Sequence, residues 1–366
     1  MIPIRIGIQQ RVLPSYRIPF FDTLAQDFPG GLCVFAGEPR KEEALNTNAR
    51  LEHAQHAHGR NIHLFEGKFY MCWQSGLLEW LRQWQPDVLI MEANPRYLTS
   101  QAAIRWMKSH GGKVIGWGLG SPKPQGNLTG LRLYLRRRFV SQLDALITYS
   151  LKGADEYAQL GIDPGRIFTA PNAVAPKPRH EMPERSKAYS AGKPVVLFVG
   201  RLQPRKRVDL LIHACARLKQ YQPQLWIVGD GPYRHKLEDL AAAHYPETQF
   251  YGAKHGKDLE KLMRRADIFA LPGTGGLAVQ QAMAFGLPVI VGESDGTESD
   301  LVRKENGWVL PEASADALAG LLSEALNNLS DLRRMGQASF RIVLEDVNLE
   351  RMVAAFKRAI ESVKKN

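Results

Sequence analysis

Short apolar runs alternate with longer amphipathic stretches along the first half of the chain. Each run is followed by Gly, Pro, Ser or Asn and then by a helical pattern. Runs of this kind, rich in Val, Ile, Leu and Phe, are typical of parallel strands that helices bury on both faces. The predicted strands are Ile4–Ile8, Leu32–Phe35, Val88–Met91, Lys113–Gly116 and Ala145–Thr148.

The pattern stops and then starts again in the second half. Residues 175–194 are rich in Pro, Lys, Arg, Glu and Ser and have no apolar periodicity, which is linker composition. Helices are predicted at Asp209–Gln220 and Leu277–Phe285, and a last one near Leu349–Val363 has a single apolar face. The predicted strands are Val195–Val199, Leu225–Val228, Gln249–Tyr251, Ile268–Leu271, Pro288–Val291 and Trp308–Leu310.

Alternating strands and helices predict an α/β protein with two doubly wound, Rossmann-like domains. We expect an N-terminal domain at 1–175, a linker at 176–194 and a C-terminal domain at 195–348. The segment 349–366 is expected to form a helix that packs against one of the two domains, and a return to the first domain is one alternative. Ligands of such folds bind at the carboxyl ends of strands, here in a cleft between the domains.

Composition and charge narrow the choice of partners. Cysteine occurs three times, at Cys33, Cys72 and Cys215, without a CxxC pair, which favours a reducing, cytoplasmic location over a disulfide or zinc framework. No signal peptide and no membrane-spanning run are expected. The net charge of +11 favours anionic partners such as phosphorylated substrates, anionic lipid or nucleic acid. Nucleic acid is disfavoured because no recognised binding motif appears and the basic residues are dispersed.

A cationic segment follows the first strand of the second half. That strand ends at Gly200, and Arg201, Arg205, Lys206 and Arg207 come within the next seven residues. Arginine grips two phosphate oxygens at once and lysine acts as a mobile point charge. The segment is therefore a candidate phosphate site, and a solvated basic loop is the alternative.

Two glycine-rich turns follow later strands of the same half. Gly229 and Gly231 lie in a tight turn after Leu225–Val228, where glycine permits close approach of a ligand or simply makes the turn. Residues 272–276 form a glycine loop that opens onto a helix beginning near Leu277. Free amides and the positive dipole end of a helix suit a diphosphate, although the loop is not a Walker A motif.

These segments together resemble the family-4, retaining GT-B glycosyltransferases. The resemblance rests on Gly200-Arg201 with Lys206 five residues on, Gly229-Asp230-Gly231-Pro232, the glycine loop with its helix, Gly286-Leu287-Pro288-Val289-Ile290, Asn306-Gly307, and upstream Ala170-Pro171-Asn172-Ala173-Val174. The start of the chain, residues 11–21, is similar to a bacterial branch of that family.

The resemblance implies roles for named residues. Arg201 and Lys206 would be catalytic, because they would neutralise the charge that builds on the departing diphosphate. No metal or other cofactor is implied, since cationic side chains and amides would do this work. The implied donor-binding set is Gly200, Gly229, Gly231, Thr274, Gly275, Gly276, Leu277 and Gln281.

One departure from the family pattern concerns its Glu-x7-Glu motif. Gly273 and Gln281 stand at the two glutamate positions. The Gln281 amide retains a donor and an acceptor for ribose hydroxyls. We expect Gly273 to leave a larger, less negative sugar subsite that suits a bulkier or acidic donor sugar. Loss of catalysis, leaving a nucleotide-sugar-binding homologue, is the alternative.

The first half offers weaker signals for an acceptor. Arg11, Tyr16 and Arg17 follow the first predicted strand, and Glu92 and Arg96 follow the third. All five are acceptor-side candidates, and a plain loop is an equal alternative for each. The overall expectation is transfer from a UDP- or GDP-sugar to a glycan or lipid-linked glycan of the bacterial surface.

Two further clusters admit two interpretations each. His53, His56, His58 and His63 have no recognised metal spacing, so a solvated loop is favoured over metal binding. Residues 128–139 interleave leucines with arginines, which is typical of a helix lying on anionic lipid; a surface helix packed on the first sheet is slightly favoured over it.

Overall fold

The computed structural model describes residues 3–40, 43, 47, 50–67, 70–121, 129–186, 188–189, 192–275, 277–292 and 298–364. The chain forms two compact units. Unit 1 combines Met1–Val174 with Leu349–Asn366, and unit 2 is Ala175–Asn348. The final helix therefore belongs to the first unit.

Unit 1 is built on a parallel sheet of seven strands and a separate antiparallel hairpin. Its strands are β1 Ile6–Val12, β2 Leu32–Gly37, β3 Gln55–His58, β4 Arg60–Leu64, β5 Met71–Ser75, β6 Val88–Glu92, β7 Lys113–Gly118, β8 Ala145–Thr148 and β9 Ile167–Thr169. The sheet order is β3-β2-β1-β6-β7-β8-β9, and β4 pairs with β5.

Helices cover both faces of this sheet. They are α1 Ile18–Gln26, α2 Leu77–Trp84, α3 Ser100–Ser109, α4 Thr129–Val140, α5 Leu151–Gln159 and α13 Leu349–Lys364, with 3₁₀ turns at Ser15–Arg17 and Pro164–Arg166. On one face α1 and α13 meet in an aromatic cluster, where Phe20 and Trp117 lie 4.7 and 4.9 Å from Phe356 between ring centroids. The apolar face predicted for the last helix is buried there.

The sequence predicted five of the seven strands of this sheet. It missed β3 and β9 of the sheet and both strands of the hairpin. The first strand runs to Val12 instead of ending at Ile8, because Gln9 and Gln10 are buried and continue the strand. The polar edge strand β3 is exposed at three of its four residues, and the hairpin strands expose every second residue. All three strands therefore lack the continuous apolar run used for prediction. The short strand β9 is only half-buried.

Unit 2 has a six-stranded parallel sheet in the order β12-β11-β10-β13-β14-β15. Its strands are β10 Val195–Val199, β11 Gln224–Val228, β12 Thr248–Gly252, β13 Ile268–Leu271, β14 Val289–Gly292 and β15 Gly307–Leu310. Its helices are α6 Val208–Arg217, α7 Arg234–His244, α8 Gly256–Arg265, α9 Leu277–Ala284, α10 Glu298–Leu301, α11 Ala315–Asn327 and α12 Leu329–Glu345, with a 3₁₀ turn at Pro204–Lys206. All six predicted strands of this half are confirmed, and their observed ends differ from the predicted ends by one residue at most.

The segment predicted as a linker is anchored to unit 2 by one side chain. The guanidinium of Arg185 donates to five backbone carbonyls, those of Met263, Arg264, Ala266, Phe285 and Gly286. These carbonyls lie at the carboxyl ends of α8 and α9, where helices leave acceptors unsatisfied and favour a cation. Part of 176–194 is therefore a structural brace for the helix that follows the glycine loop.

Both sheets reverse their strand order at one point, between β1 and β6 in unit 1 and between β10 and β13 in unit 2. Ligands of open parallel sheets bind outside the carboxyl ends of the strands at such switch points. Arg11 and Glu92 lie at the carboxyl ends of β1 and β6, and the loops after β10 and β13 contain Arg201, Lys206 and Gly273.

Candidate functional site

Three loops meet at the carboxyl edge of the unit 2 sheet, and glycines let them touch. Gly229 has a φ of +144°, and a Cβ there would overlap the carbonyl oxygen of Gly200. Gly231 has a φ of +157°, and its Cβ would lie 2.8 Å from the amide nitrogen of Leu202. Leu202 N–H donates to the Asp230 carbonyl at 2.9 Å. The turn 229–231 therefore needs glycine to hold the loop after β10 in place.

Thr274 ties the glycine loop after β13 to the cationic turn. Its amide donates to the Arg205 carbonyl at 3.0 Å. Its hydroxyl accepts from Arg205 Nη1 at 2.9 Å, and its carbonyl accepts from Lys206 Nζ at 2.5 Å. Three hydrogen bonds thus hold two loops that lie almost seventy residues apart in sequence as one surface.

Lys206 is half-buried between these loops. Burial, with a smaller contribution from the charge of Arg205, lowers the pKa of Lys206 to about 8. The amine lies so close to Gly275 that a Cβ on that residue would overlap it. A mobile cation held against a glycine loop is suited to an incoming anion, whose charge would replace the Thr274 carbonyl as partner.

The expectation that Gly273 leaves open space in a sugar subsite is wrong. A Cβ at Gly273 would lie 2.6 Å from Lys206 Cα and closer still to the Arg205 carbonyl oxygen. Real side chains do not approach backbone atoms so closely, so the loop packs directly on the Arg205–Lys206 backbone. Glycine at this position serves contact between two loops.

The other unit 2 candidates are placed less tightly. Arg201 is exposed directly after Gly200, and Gln281 is half-buried on α9. Leu277 is the first residue of α9, and Gly276 lies outside the described residues. The structure therefore brings Lys206, Thr274 and Gly275 into contact and leaves the helix-start amides as a prediction.

Unit 1 has a cavity of about 190 Å³ at the corresponding edge of its own sheet. Four acceptor-side candidates line it, and they come from two segments distant in sequence: Arg11, Tyr16, Arg17 and Glu92. Arg96 does not; its neighbour Tyr97 lines the cavity instead. Further lining residues are Gln10, Val12, Pro14 and Tyr149.

Glu92 is the acidic group of this cavity. Its Oε1 accepts from the Arg11 amide at 2.7 Å. Burial raises the pKa of Glu92, and burial together with the nearby Glu92 carboxyl raises the pKa of Tyr97. The Arg11 guanidinium pairs with Glu43 at 2.8 Å, so the strand end is held by both its backbone and its side chain. The cavity thus presents groups that donate to and accept from hydroxyls.

Arg17 supplies a fixed positive charge beside them. It is 6% exposed, and its guanidinium carbon lies 5.2 to 5.6 Å from the ring centroids of Tyr16, Trp117 and Tyr149. Nη2 donates to Asn172 Oδ1 at 2.6 Å. Cation–π contacts and this hydrogen bond hold the side chain in one position. Asn172 lies in the segment 170–174 that had been singled out only by resemblance.

The two remaining clusters follow the favoured expectations only in part. His56 and His58 lie on β3 and His63 on β4, so only His53 is in a loop. No group of three or more potential metal ligands occurs in the described part of the chain. In α4, Phe139 is 3% exposed and packs into the core beside the sheet, whereas Leu131 and Leu135 are 55% and 52% exposed. Leu128 is outside the described residues.

Two family profiles match most of the chain. Residues 32–177 match Glycosyltransferase Family 4, and residues 182–341 match Glycosyl transferases group 1. The chain belongs to this family of glycosyltransferases, and its parallel sheets have the Rossmann-like topology of the GT-B fold. No described helix has the length and apolar character needed to cross a bilayer.

Similar proteins include several mannosyltransferases. A GDP-mannose-dependent monoacylated alpha-(1-6)-phosphatidylinositol monomannoside mannosyltransferase of Corynebacterium glutamicum is 32% identical over 224 residues, 58% of this chain and 55% of that protein. D-inositol 3-phosphate glycosyltransferase of Nocardia farcinica is 26% identical over 341 residues, 87% of this chain and 68% of that protein. The chain spans about half the length of the mannosyltransferases that it matches.

Solved structures show the same fold at low sequence identity. Anabaena HepE in complex with UDP superposes with a TM-score of 0.73 at 14% identity, over 98% of this chain and 100% of that one. The lipopolysaccharide outer core galactosyltransferase WaaB gives a TM-score of 0.71 at 16% identity, over 98% and 99% of the two chains.

Proposed function

We propose that this protein transfers a sugar from a UDP- or GDP-sugar to a glycan or lipid-linked glycan, with retention, in surface polysaccharide or lipopolysaccharide biosynthesis. The observation that carries the proposal is the loop surface in unit 2, where Lys206 lies against the glycine loop and is held by Thr274. Its cation and neighbouring loop amides are the groups that a nucleotide diphosphate requires.

The chemistry follows from the charge of the leaving group. Breaking the bond between sugar and diphosphate leaves negative charge on the phosphate oxygen. Fixed donors aimed at that charge lower the barrier. Electrostatic stabilisation of this kind is usually the largest single contribution to catalysis. Arg201 and Lys206 would supply it without a metal or other cofactor.

Nucleotide binding tests the assignment directly. Arg201→Ala is expected to weaken nucleoside diphosphate binding far more than nucleoside binding, since each charge-assisted contact contributes roughly 1.5–3 kcal/mol. Titration calorimetry with both ligands measures the difference. Arg334→Ala, at an exposed position on α12, is the matched control and should change neither. Equal losses for both ligands would contradict the role of Arg201.

Relatives support the choice of first donors. Several are named as GDP-mannose-dependent mannosyltransferases, and one solved neighbour holds UDP. A thermal-shift screen over nucleotide sugars should begin with GDP-mannose, because a ligand that binds only the folded state raises its stability by an amount that grows with the logarithm of its affinity.

For the acceptor we propose the unit 1 cavity. Glu92, Tyr97 and Arg17 there can bind hydroxyls or an anionic substituent. Arg17→Gln should lower acceptor-dependent transfer while leaving slow hydrolysis of the donor unchanged. An equal loss of transfer and of donor hydrolysis would contradict a role for Arg17 in acceptor binding.

A second candidate is a catalytically inactive nucleotide-sugar-binding homologue. The replacement of both family glutamates by Gly273 and Gln281 favours it. A broad donor screen separates the two functions. Tight nucleotide binding with neither transfer nor hydrolysis would establish the binding protein, whereas slow donor hydrolysis would establish the enzyme.

Peripheral attachment to the inner face of the plasma membrane is also proposed. Leu131, Tyr134 and Leu135 of α4 are exposed among arginines, which suits anionic lipid. Flotation with acidic and neutral liposomes tests this, using a variant with Arg136, Arg137 and Arg138 changed to Glu. Equally poor flotation of the wild type on both would make α4 an ordinary surface helix.

A further inference from the structure

The hairpin of unit 1 carries large apolar side chains on its outward face. β4 and β5 pair Ile62 with Trp73 and Leu64 with Met71. These four side chains are 36% to 46% exposed, whereas Cys72 and Gln74, which point the other way, are buried. The alternation that normally puts polar residues outward is reversed.

The same outward face continues onto the segment after β6. Tyr97 forms a parallel bridge with Cys72, the Cys72 amide donates to the Arg96 carbonyl at 3.0 Å, and the Leu98 amide donates to the Cys72 carbonyl at 2.9 Å. Tyr97 is buried and Leu98 is 39% exposed, so Leu98 lies on the outward side. Phe65, which follows β4, is 68% exposed. We call Ile62, Leu64, Phe65, Met71, Trp73 and Leu98 the hairpin face.

Charge indicates what covers this face. Arg60 and Arg96 are exposed beside the apolar side chains, and Glu66 is the only acidic residue between 60 and 75. The whole chain carries +11 charges, so two copies meeting through this face would repel each other. An anionic bilayer meets both requirements, since its headgroups attract arginine and its outer hydrocarbon accepts Trp and Phe.

We propose that the hairpin face inserts into the boundary between headgroups and hydrocarbon of an anionic membrane. The inference rests on the proposed function with a lipid-linked acceptor, and it adds a hydrophobic contact to the electrostatic one proposed for α4. Tyr97 lines the cavity with Glu92, while its neighbours Arg96 and Leu98 face outward. The cavity would then open beside the bilayer surface, where a lipid-linked sugar is presented.

Trp73 reports insertion without a label. It is 46% exposed, and the other six tryptophans are half-buried or buried. Vesicles of equimolar phosphatidylcholine and phosphatidylglycerol, with bromine on the phosphatidylcholine chains, should quench its fluorescence relative to unbrominated vesicles. Trp73→Phe should bind vesicles as the wild type does and lose most of the quenching. Equal quenching in both proteins would contradict insertion of this face.

A second variant measures the contribution to binding. Leu64→Ser combined with Met71→Ser should lower partition into these vesicles on the order of tenfold, because two apolar side chains lose their burial. Gln83→Ser on α2 is a control at an exposed polar position and should change nothing. Unchanged partition of the double variant would overturn the proposal. A wild type that is a dimer by light scattering, with a double variant that is a monomer, would also overturn it.

The nucleotide-sugar thermal shift separates the two failures. A protein that responds to a nucleotide sugar while Trp73 stays unquenched contradicts this inference alone. A protein whose Trp73 is quenched but which responds to no nucleotide sugar contradicts the proposed function alone.

Discussion

The two units build their candidate sites from different materials. In unit 2, three loops touch through glycines, and the groups that organise them are mainly backbone amides and carbonyls. In unit 1, side chains from remote segments converge, with Arg11 against Glu43 and Arg17 against Asn172. The diphosphate is the same in every nucleoside diphosphate sugar, so a binding site made of backbone groups suits it. Acceptors vary, and side chains can change without disturbing the strands that carry them.

Adding one methyl group to a unit 2 glycine should have the largest effect on the contact between its loops. Gly229→Ala places a Cβ against the Gly200 carbonyl at a φ of +144°, so the loops must separate. We expect a loss of roughly 4 kcal/mol in the free energy of unfolding and loss of nucleotide binding. Denaturant unfolding and calorimetry measure the two effects.

Gly320→Ala is the matched control for this substitution. Gly320 lies in α11, and a Cβ there meets no atom within 4 Å. Alanine should stabilise the helix by roughly 0.5–1 kcal/mol and leave nucleotide binding unchanged. If Gly229→Ala behaves like the control, close loop contact is not what organises unit 2.

A second test removes the brace behind the glycine loop. Arg185→Met leaves five carbonyls without their cationic donor, and four of them belong to buried residues. We expect a loss of roughly 3 kcal/mol, because unsatisfied acceptors keep their desolvation cost. Arg179→Met, at an exposed position in the same segment, should have little effect. Similar unfolding curves for the two variants would make 176–194 a simple tether.

The sequence predicted unit 2 better than unit 1 for a physical reason. Buried parallel strands and the loops that follow them are contiguous, so Gly200, Lys206 and Thr274 could be recognised locally. The role of Gly273 depended on the backbone of Arg205 and Lys206, far away in sequence, and was misjudged.

In unit 1 the same dependence on distant segments decides most of the site. The contact of Arg11 with Glu92 spans 81 positions, and that of Arg17 with Asn172 spans 155. The sequence did not identify Tyr97 as a cavity residue, because a single tyrosine after a turn belongs to no recognisable motif. The polar strand β3 and the hairpin lack the apolar runs that identify buried strands.

The pH dependence of donor binding sharpens the role of Lys206. Folding lowers the pKa of Lys206 from 10.5 to about 8, so the amine of the folded protein loses its proton from about pH 8 upward. A diphosphate needs the protonated amine, so affinity should fall above about pH 8 and approach tenfold per pH unit. Lys206→Arg keeps its charge and should bind with little pH dependence. Calorimetry between pH 7 and 10 makes the comparison, and parallel profiles would remove Lys206 from the diphosphate site.

Stability without donor should move in the opposite direction. The unfolded chain holds this proton up to its ordinary pKa of 10.5, whereas the folded chain releases it from about 8. Between these values the unfolded state binds more protons, so the lysine contribution makes the folded state more stable as pH rises. Lys206→Arg should lack this gain.

The smallest expected effect concerns Glu92, and it tests whether the unit 1 cavity holds a neutral acid. Burial raises the pKa of Glu92 above the ordinary 4.5. The folded state then binds the proton more tightly than the unfolded state, so stability from this group is complete below 4.5 and is lost as pH rises through the folded pKa. Glu92→Gln retains an oxygen that accepts from the Arg11 amide and carries no charge, so it should lose less stability than the wild type over that range. The difference between the two proteins should grow as pH rises from 4.5 toward neutral. Glu79→Gln, on an exposed position of α2, should follow the wild-type profile. If thermal melts of Glu92→Gln and the wild type stay parallel from pH 4 to 8, folding does not raise the pKa of Glu92, and at neutral pH the cavity offers an acceptor a negative charge.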